Sequence, residues 1–123
     1  MLLALDFSGD LPIYQQLRNQ IVLGIAAGEL RPGEKLPTIR SLANELGINM
    51  MTASKAYQML KQEGYIASDR RNGAWVALTT NEGAALTRLE DALRLIIAEA
   101  RVSGIDEDTV AKLCRKLYHE GEV

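Results

Sequence analysis

The stretch LPTIRSLANELGINMMTASKAYQMLKQEGYI, Leu36 to Ile66, decides the fold. Thr38 can cap a helix that carries Ile39, Leu42, Ala43 and Leu46 at offsets of three, four and seven, and Gly47 stops it. Asn49 can cap another, whose Ala53, Ala56, Tyr57 and Leu60 repeat that spacing until Gly64 ends it. Two short helices joined by about four residues must cross steeply, which calls for a small residue at the crossing (Ala43) and glycine at the bend (Gly47). The outward residues of the second helix are Asn49, Met51, Thr52, Ser54, Lys55 and Gln58. They are mostly short or polar, as a helix lying in a DNA major groove requires.

Beyond Gly64 the period changes from helical to extended. Tyr65 to Ser68 and Ala74 to Leu78 flank Asn72-Gly73, a pair suited to a tight hairpin turn. Arg70, Arg71 and Asn72 then stand at the tip of a wing, where phosphates or a minor groove would lie. Upstream, Gly28 to Pro37 reads as a loop with a brief strand at Lys35-Leu36. Before it, Pro12 opens a helix over about 12–27 with Ile13, Leu17, Ile21 and Ile25 on one stripe. Leu3, Leu5 and Phe7 alternate with smaller or polar residues, fitting a short half-buried strand or an extended arm.

Downstream, a fourth helix is expected from about Asn81 to Gly104. Its Leu86, Leu89, Leu93, Ile96 and Ala100 alternate steps of three and four, the seam of a helix that packs against another helix, and Ile97 widens the stripe. Asp106 caps a fifth helix with Val110, Leu113, Cys114 and Leu117 on its apolar face. Glu107 and Asp108 stand at its positive end and Lys112, Arg115 and Lys116 toward its negative end, as the helix dipole favours. The first three helices already supply a core, so the long fourth helix needs a partner, and a second copy of the chain fits that need. Leu86, Leu89, Leu93, Ile96, Ile97, Ala100, Val110, Leu113 and Leu117 are the expected dimer contacts.

Composition agrees with a globular chain: 123 residues, 47% hydrophobic and 24% charged. The net charge of −2 argues at first against nucleic acid, but its distribution reverses that. Residues 35–78 hold six basic and three acidic side chains; residues 79–123 hold six basic and nine acidic. No apolar run reaches the roughly 20 residues of a membrane span, and the start lacks the pattern of a secretory signal. A lone Cys114 fits a reducing compartment, so a cytoplasmic location is expected, with no membrane contact. Cys114 and His119 lie five residues apart on one helix, too far for a shared metal; a buried cysteine and a surface histidine are expected. No phosphate loop, no HExxH and no nucleophile with a matching base is found, which excludes the familiar enzyme classes and leaves no cofactor.

The stretch quoted above, followed by RNGAWV and preceded by PIYQQLRNQIVLGIAAGELRPGEKL, resembles the N-terminal domain of the GntR family of bacterial regulators over residues 11–78. The short two-helix tail and the Ser54-Lys55-Ala56-Tyr57 wording resemble its YtrA-type subfamily, in which such a tail serves mainly for dimerisation. The resemblance implies a mainly α fold with a small β-hairpin: a winged helix-turn-helix over 1–78 and a helical dimerisation tail over 79–123. It also implies that Arg40, Thr52, Ser54 and Lys55 contact DNA, and that Gly73 lets the wing backbone approach a minor groove. Four positions depart from the family pattern. Met50 and Met51 replace its usual Pro and Asn, or Arg; Arg71 stands where a first wing glycine is common; Ser41 replaces the capping-box Glu. Met51 can touch a thymine methyl or merely pack.

The expected function is a homodimeric, sequence-specific repressor reading an inverted-repeat operator, with room for a small-molecule effector that the sequence does not name. Two rivals stay open: a sequence-neutral architectural DNA binder, and a winged-helix module that binds protein instead of nucleic acid.

Overall fold

A proline at the entrance and apolar residues at every fourth position set the first helix, α1 (Ile13–Ala26). The structure is a computed structural model that describes residues 4–120; it comprises two units, Met1–Thr80 and Asn81–Val123. In the first unit α1 is followed by α2 (Ile39–Leu46) and α3 (Met50–Gln62), then by the strands β1 (Ile66–Asp69) and β2 (Gly73–Val76). The caps expected at Thr38 and Asn49 are present. Thr38 Oγ1 accepts from the Ser41 N–H at 3.0 Å and Asn49 Oδ1 from the Met51 N–H at 2.7 Å. Ser41 thus contributes its backbone to the cap although it lacks the reciprocal carboxylate. Gly47 adopts φ 67°, the left-handed turn that ends α2 and aims α3 across it.

Helix α3 is the centre of this unit, packing against α1, α2 and β1. Its Ala53, Ala56, Tyr57 and Leu60 are all buried, joining Leu17 and Ile21 of α1, Leu42 of α2 and Val76 of the wing. The Tyr57 hydroxyl donates to the Pro37 carbonyl at 2.8 Å, and burial pushes the phenol up to about 12, so it stays a donor at every physiological pH. Arg18 of α1 grips Glu63 with two parallel bonds of 2.9 Å and lies 5.8 Å over the Tyr65 ring, joining α1 to the exit of α3 and the start of the wing.

Both side chains of that ion pair are 20% exposed, between the surface and buried regimes. Arg18→Ala is therefore expected to cost about 1–2 kcal/mol, read as a lower urea midpoint at unchanged slope. A cost within experimental error would assign the pair to the weak surface class.

The wing differs from expectation at its tip. Asp69 pairs with Gly73, so Arg70, Arg71 and Asn72 make the connection and Gly73 already belongs to β2, with φ 76°. A three-residue loop closed by a left-handed glycine replaces the two-residue Asn-Gly turn. The reason is Asp69, whose carboxylate accepts from both the backbone and the side-chain N–H of Asn72 and so draws Asn72 into the loop. The brief strand expected at Lys35-Leu36 is a single bridge, Lys35 opposite Trp75, extended by Leu36 N–H to the Ala74 carbonyl at 2.9 Å.

The N-terminal segment is an arm, not a strand. Gln16 is buried; its Oε1 accepts from the Asp6 N–H at 2.8 Å while its Nε2 donates to the carbonyls of Asp6 and Leu11. These bonds give the arm the pairing a strand neighbour would have supplied. Phe7 is exposed, against the expected alternation, and Leu3 lies outside the described residues.

The second unit holds α4 (Glu82–Val102) and α5 (Glu107–Tyr118). Asn81 caps α4 and Asp106 caps α5, each side chain accepting an N–H three residues on. Neither helix buries a single residue. Cys114 is exposed rather than buried, because α5 lacks a covering layer. Among the described residues no helix is long and apolar enough to cross a membrane.

Candidate nucleic-acid interface

Packing one stripe of α3 into the core leaves the opposite stripe facing out. Met51, Ser54, Lys55 and Gln58 follow at three, four and seven, the neighbours of one helical face. Met51, Lys55 and Gln58 are exposed; Thr52 and Ser54 are half-buried. Between this face and the wing runs a groove of about 390 Å³, lined among others by Thr38, Ser54, Gln58, Lys61, Ser68 and Gly73. Thr38 and Ile39, at the first turn of α2, line the same groove. Arg40 is exposed in that turn.

The cations expected at this face are free to meet a ligand. Arg40, Arg70 and Arg71 are exposed, and among the described residues their side chains have no partner. Lys55 lies 4.0 Å from the centre of the Tyr14 ring. The two asparagines are differently placed. Asn49 has its Oδ1 engaged in capping α3, and Asn72 is bonded to Asp69 within the wing loop, so both shape the face. Those two hydrogen bonds from Asn72, backbone first, hold the Asp69 carboxyl below its ordinary value. The loop therefore gains from them above the usual carboxylate pKa and loses the gain as pH falls through the depressed value.

Two contributors were missed in the sequence. Lys61, three residues beyond Gln58, reaches the Ser68 carbonyl at 3.4 Å and ties the end of α3 to the wing. Helical spacing from Ser54 and Gln58 could have found it. Tyr14 had no local signal, because its contact with Lys55 joins two helices distant in sequence.

In the second unit, Leu86, Leu89, Leu93 and Ile97 line an open groove of about 890 Å³ together with Arg94 and Arg101. Ile96 is exposed outside that lining. Ala100 and Val110 face a smaller groove where α4 and α5 join, while Leu113 and Leu117 are exposed on α5. Among the described residues no cluster of His, Cys, Asp and Glu can hold a metal ion.

The model for bacterial regulatory proteins of the gntR family matches residues 11–76. The chain belongs to the GntR family. Among GntR relatives, the transcriptional repressor YtrA of Bacillus subtilis is 32% identical over 108 residues, covering 85% of this chain and 83% of YtrA. A transcriptional antiterminator from Listeria monocytogenes superposes with a TM-score of 0.84 at 28% identity, covering 95% of this chain and 90% of that one. The DNA-binding domain of AraR, solved in complex with operator ORX1, is 31% identical with a TM-score of 0.56, covering 61% of this chain and 96% of the domain. The fold is thus the winged helix of GntR regulators, mainly helical with a two-stranded hairpin, and the family and its relatives are regulators of transcription rather than enzymes.

Proposed function

We propose that this GntR protein is a sequence-specific transcriptional repressor that binds an inverted-repeat operator as a homodimer, with α3 in the major groove and the wing on the adjacent backbone or minor groove. The observation that carries this reading is the open face of α3, continuous with the groove against the wing, together with the exposed Arg40, Arg70 and Arg71, whose side chains have no partner among the described residues. The operator-bound AraR domain supports the DNA partner, and the name of YtrA supports repression. Residues 1–78 form the DNA-binding domain and 79–123 the dimerisation domain. The apolar groove of α4 supports the dimer, since two helices without a buried side chain leave their stripe to a partner. An operator-binding protein of this kind acts in the bacterial cytoplasm.

The DNA contacts we assign are Arg40, Met51, Thr52, Ser54, Lys55, Arg70, Arg71 and the Gly73 backbone, with Asn49 and Asn72 holding them in place. Met51 is 79% exposed on the reading face, where an apolar thioether suits the 5-methyl group of thymine. Selection of bound duplexes from a random pool tests the whole reading. A palindromic consensus with a thymine in each half-site is expected. Replacing that thymine by uracil should weaken wild-type binding by about 1 kcal/mol per half-site and leave Met51→Ala unaffected. A pool that returns no consensus would turn the reading toward a sequence-neutral binder, and failure to retain any DNA toward a protein-binding module.

A further inference from the structure

Lys55 differs from the exposed Arg40, Arg70 and Arg71 in having a partner. Its ammonium lies 4.0 Å from the centroid of Tyr14, close over the ring face. Among the described residues it makes no ion pair. Arg18, which also rests on an aromatic ring, that of Tyr65, is held there by Glu63 as well. No carboxylate drags Lys55 to Tyr14; the ring's own negative face is the attraction. The platform is also firm. Tyr14 is half-buried in the first turn of α1 and packed against the hydrophobic core, and α1 is braced against α3. A lysine side chain has four flexible bonds, and fixing it on a phosphate normally costs rotamer freedom. One already resting on a ring has lost part of that freedom before DNA arrives.

We propose that Tyr14 is a positioning residue for operator binding: its ring holds the Lys55 ammonium at the α1 side of the recognition helix, ready for a DNA phosphate. The inference rests on the DNA-binding reading above. The ring does the positioning and the hydroxyl does not, so phenylalanine at 14 preserves it and leucine removes it. Tyr14 acts only through Lys55.

The test has an arm without DNA and an arm with it. In the free protein, the ε-methylene protons of Lys55 should show an upfield ring-current shift by NMR that persists in Tyr14→Phe and vanishes in Tyr14→Leu. A Lys55 with unshifted protons in the wild type overturns the proposal whatever the protein binds. With the duplex that the wild type selects from a random pool, Tyr14→Leu should weaken binding about five- to thirtyfold for two contacts per dimer, and Tyr14→Phe should stay close to wild type. In a Lys55→Ala background, Tyr14→Leu should change nothing further. Equal losses with and without Lys55 would mean that Tyr14 only supports the fold, and a Phe variant as weak as the Leu variant would transfer the role to the hydroxyl; either result overturns the proposal. Absence of any selected duplex, with the ring-current shift intact, would sink the DNA-binding reading and leave the pairing of Tyr14 with Lys55 standing.

Discussion

Replacing Arg40 and Lys55 together by alanine is expected to weaken operator binding about a thousandfold. Each side chain supplies one phosphate contact per protomer in the proposed complex, so four contacts disappear from the dimer. At about 1 kcal/mol each the loss is on the order of 4 kcal/mol, or three decades in affinity. The same four contacts release counterions when they form. The plot of log affinity against log salt should therefore become shallower by roughly three to four units in the double variant. Anisotropy titrations at several salt concentrations measure both numbers. Both residues are exposed, so the melting temperature should hardly move, which separates lost contacts from lost fold. Unchanged affinity would remove these two side chains from the interface.

A comparable collapse is expected from the other unit. Leu93→Glu with Ile97→Glu places two carboxylates in the apolar groove of α4, and a twofold axis would set them against their own copies. Sedimentation should show a monomer for the variant and a dimer for the parent protein. Operator affinity should fall about a hundred- to ten-thousandfold, because each half-site is then bound without its tethered neighbour. The winged unit should remain folded by circular dichroism, since its core contains neither residue. A double-glutamate variant that still sediments as a dimer would place the dimer contacts elsewhere.

Most of the fold could be read in the sequence because local signals agreed with one another. Thr38, Asn49 and Asp106 cap the helices they were expected to cap, and each stripe of α1, α2 and α3 turned toward the core. What failed did so where a distant or neighbouring side chain overrode local preference. Asn72-Gly73 has the dipeptide of a two-residue turn, yet Asp69 captures Asn72 and lengthens the loop. Leu5 and Phe7 fit a strand or an extended arm equally, and it is Gln16 that decides for the arm by satisfying its backbone from a helix. The burial expected of Cys114 assumed a covered α5, a condition that a single chain does not meet. On the outer face of α3, helical spacing grouped Met51, Ser54, Lys55 and Gln58 but stopped one step short of Lys61. The ring beneath Lys55 belongs to a residue forty-one positions earlier, and no periodicity reaches that far.

The bare surface of α4 and α5 has a consequence for dosage. If only paired subunits occupy an operator, then in the dilute regime their number follows the square of the protein's abundance. Halving expression would leave roughly a quarter of the bound complexes, so the regulated genes would respond to modest changes in copy number as a threshold rather than a ramp.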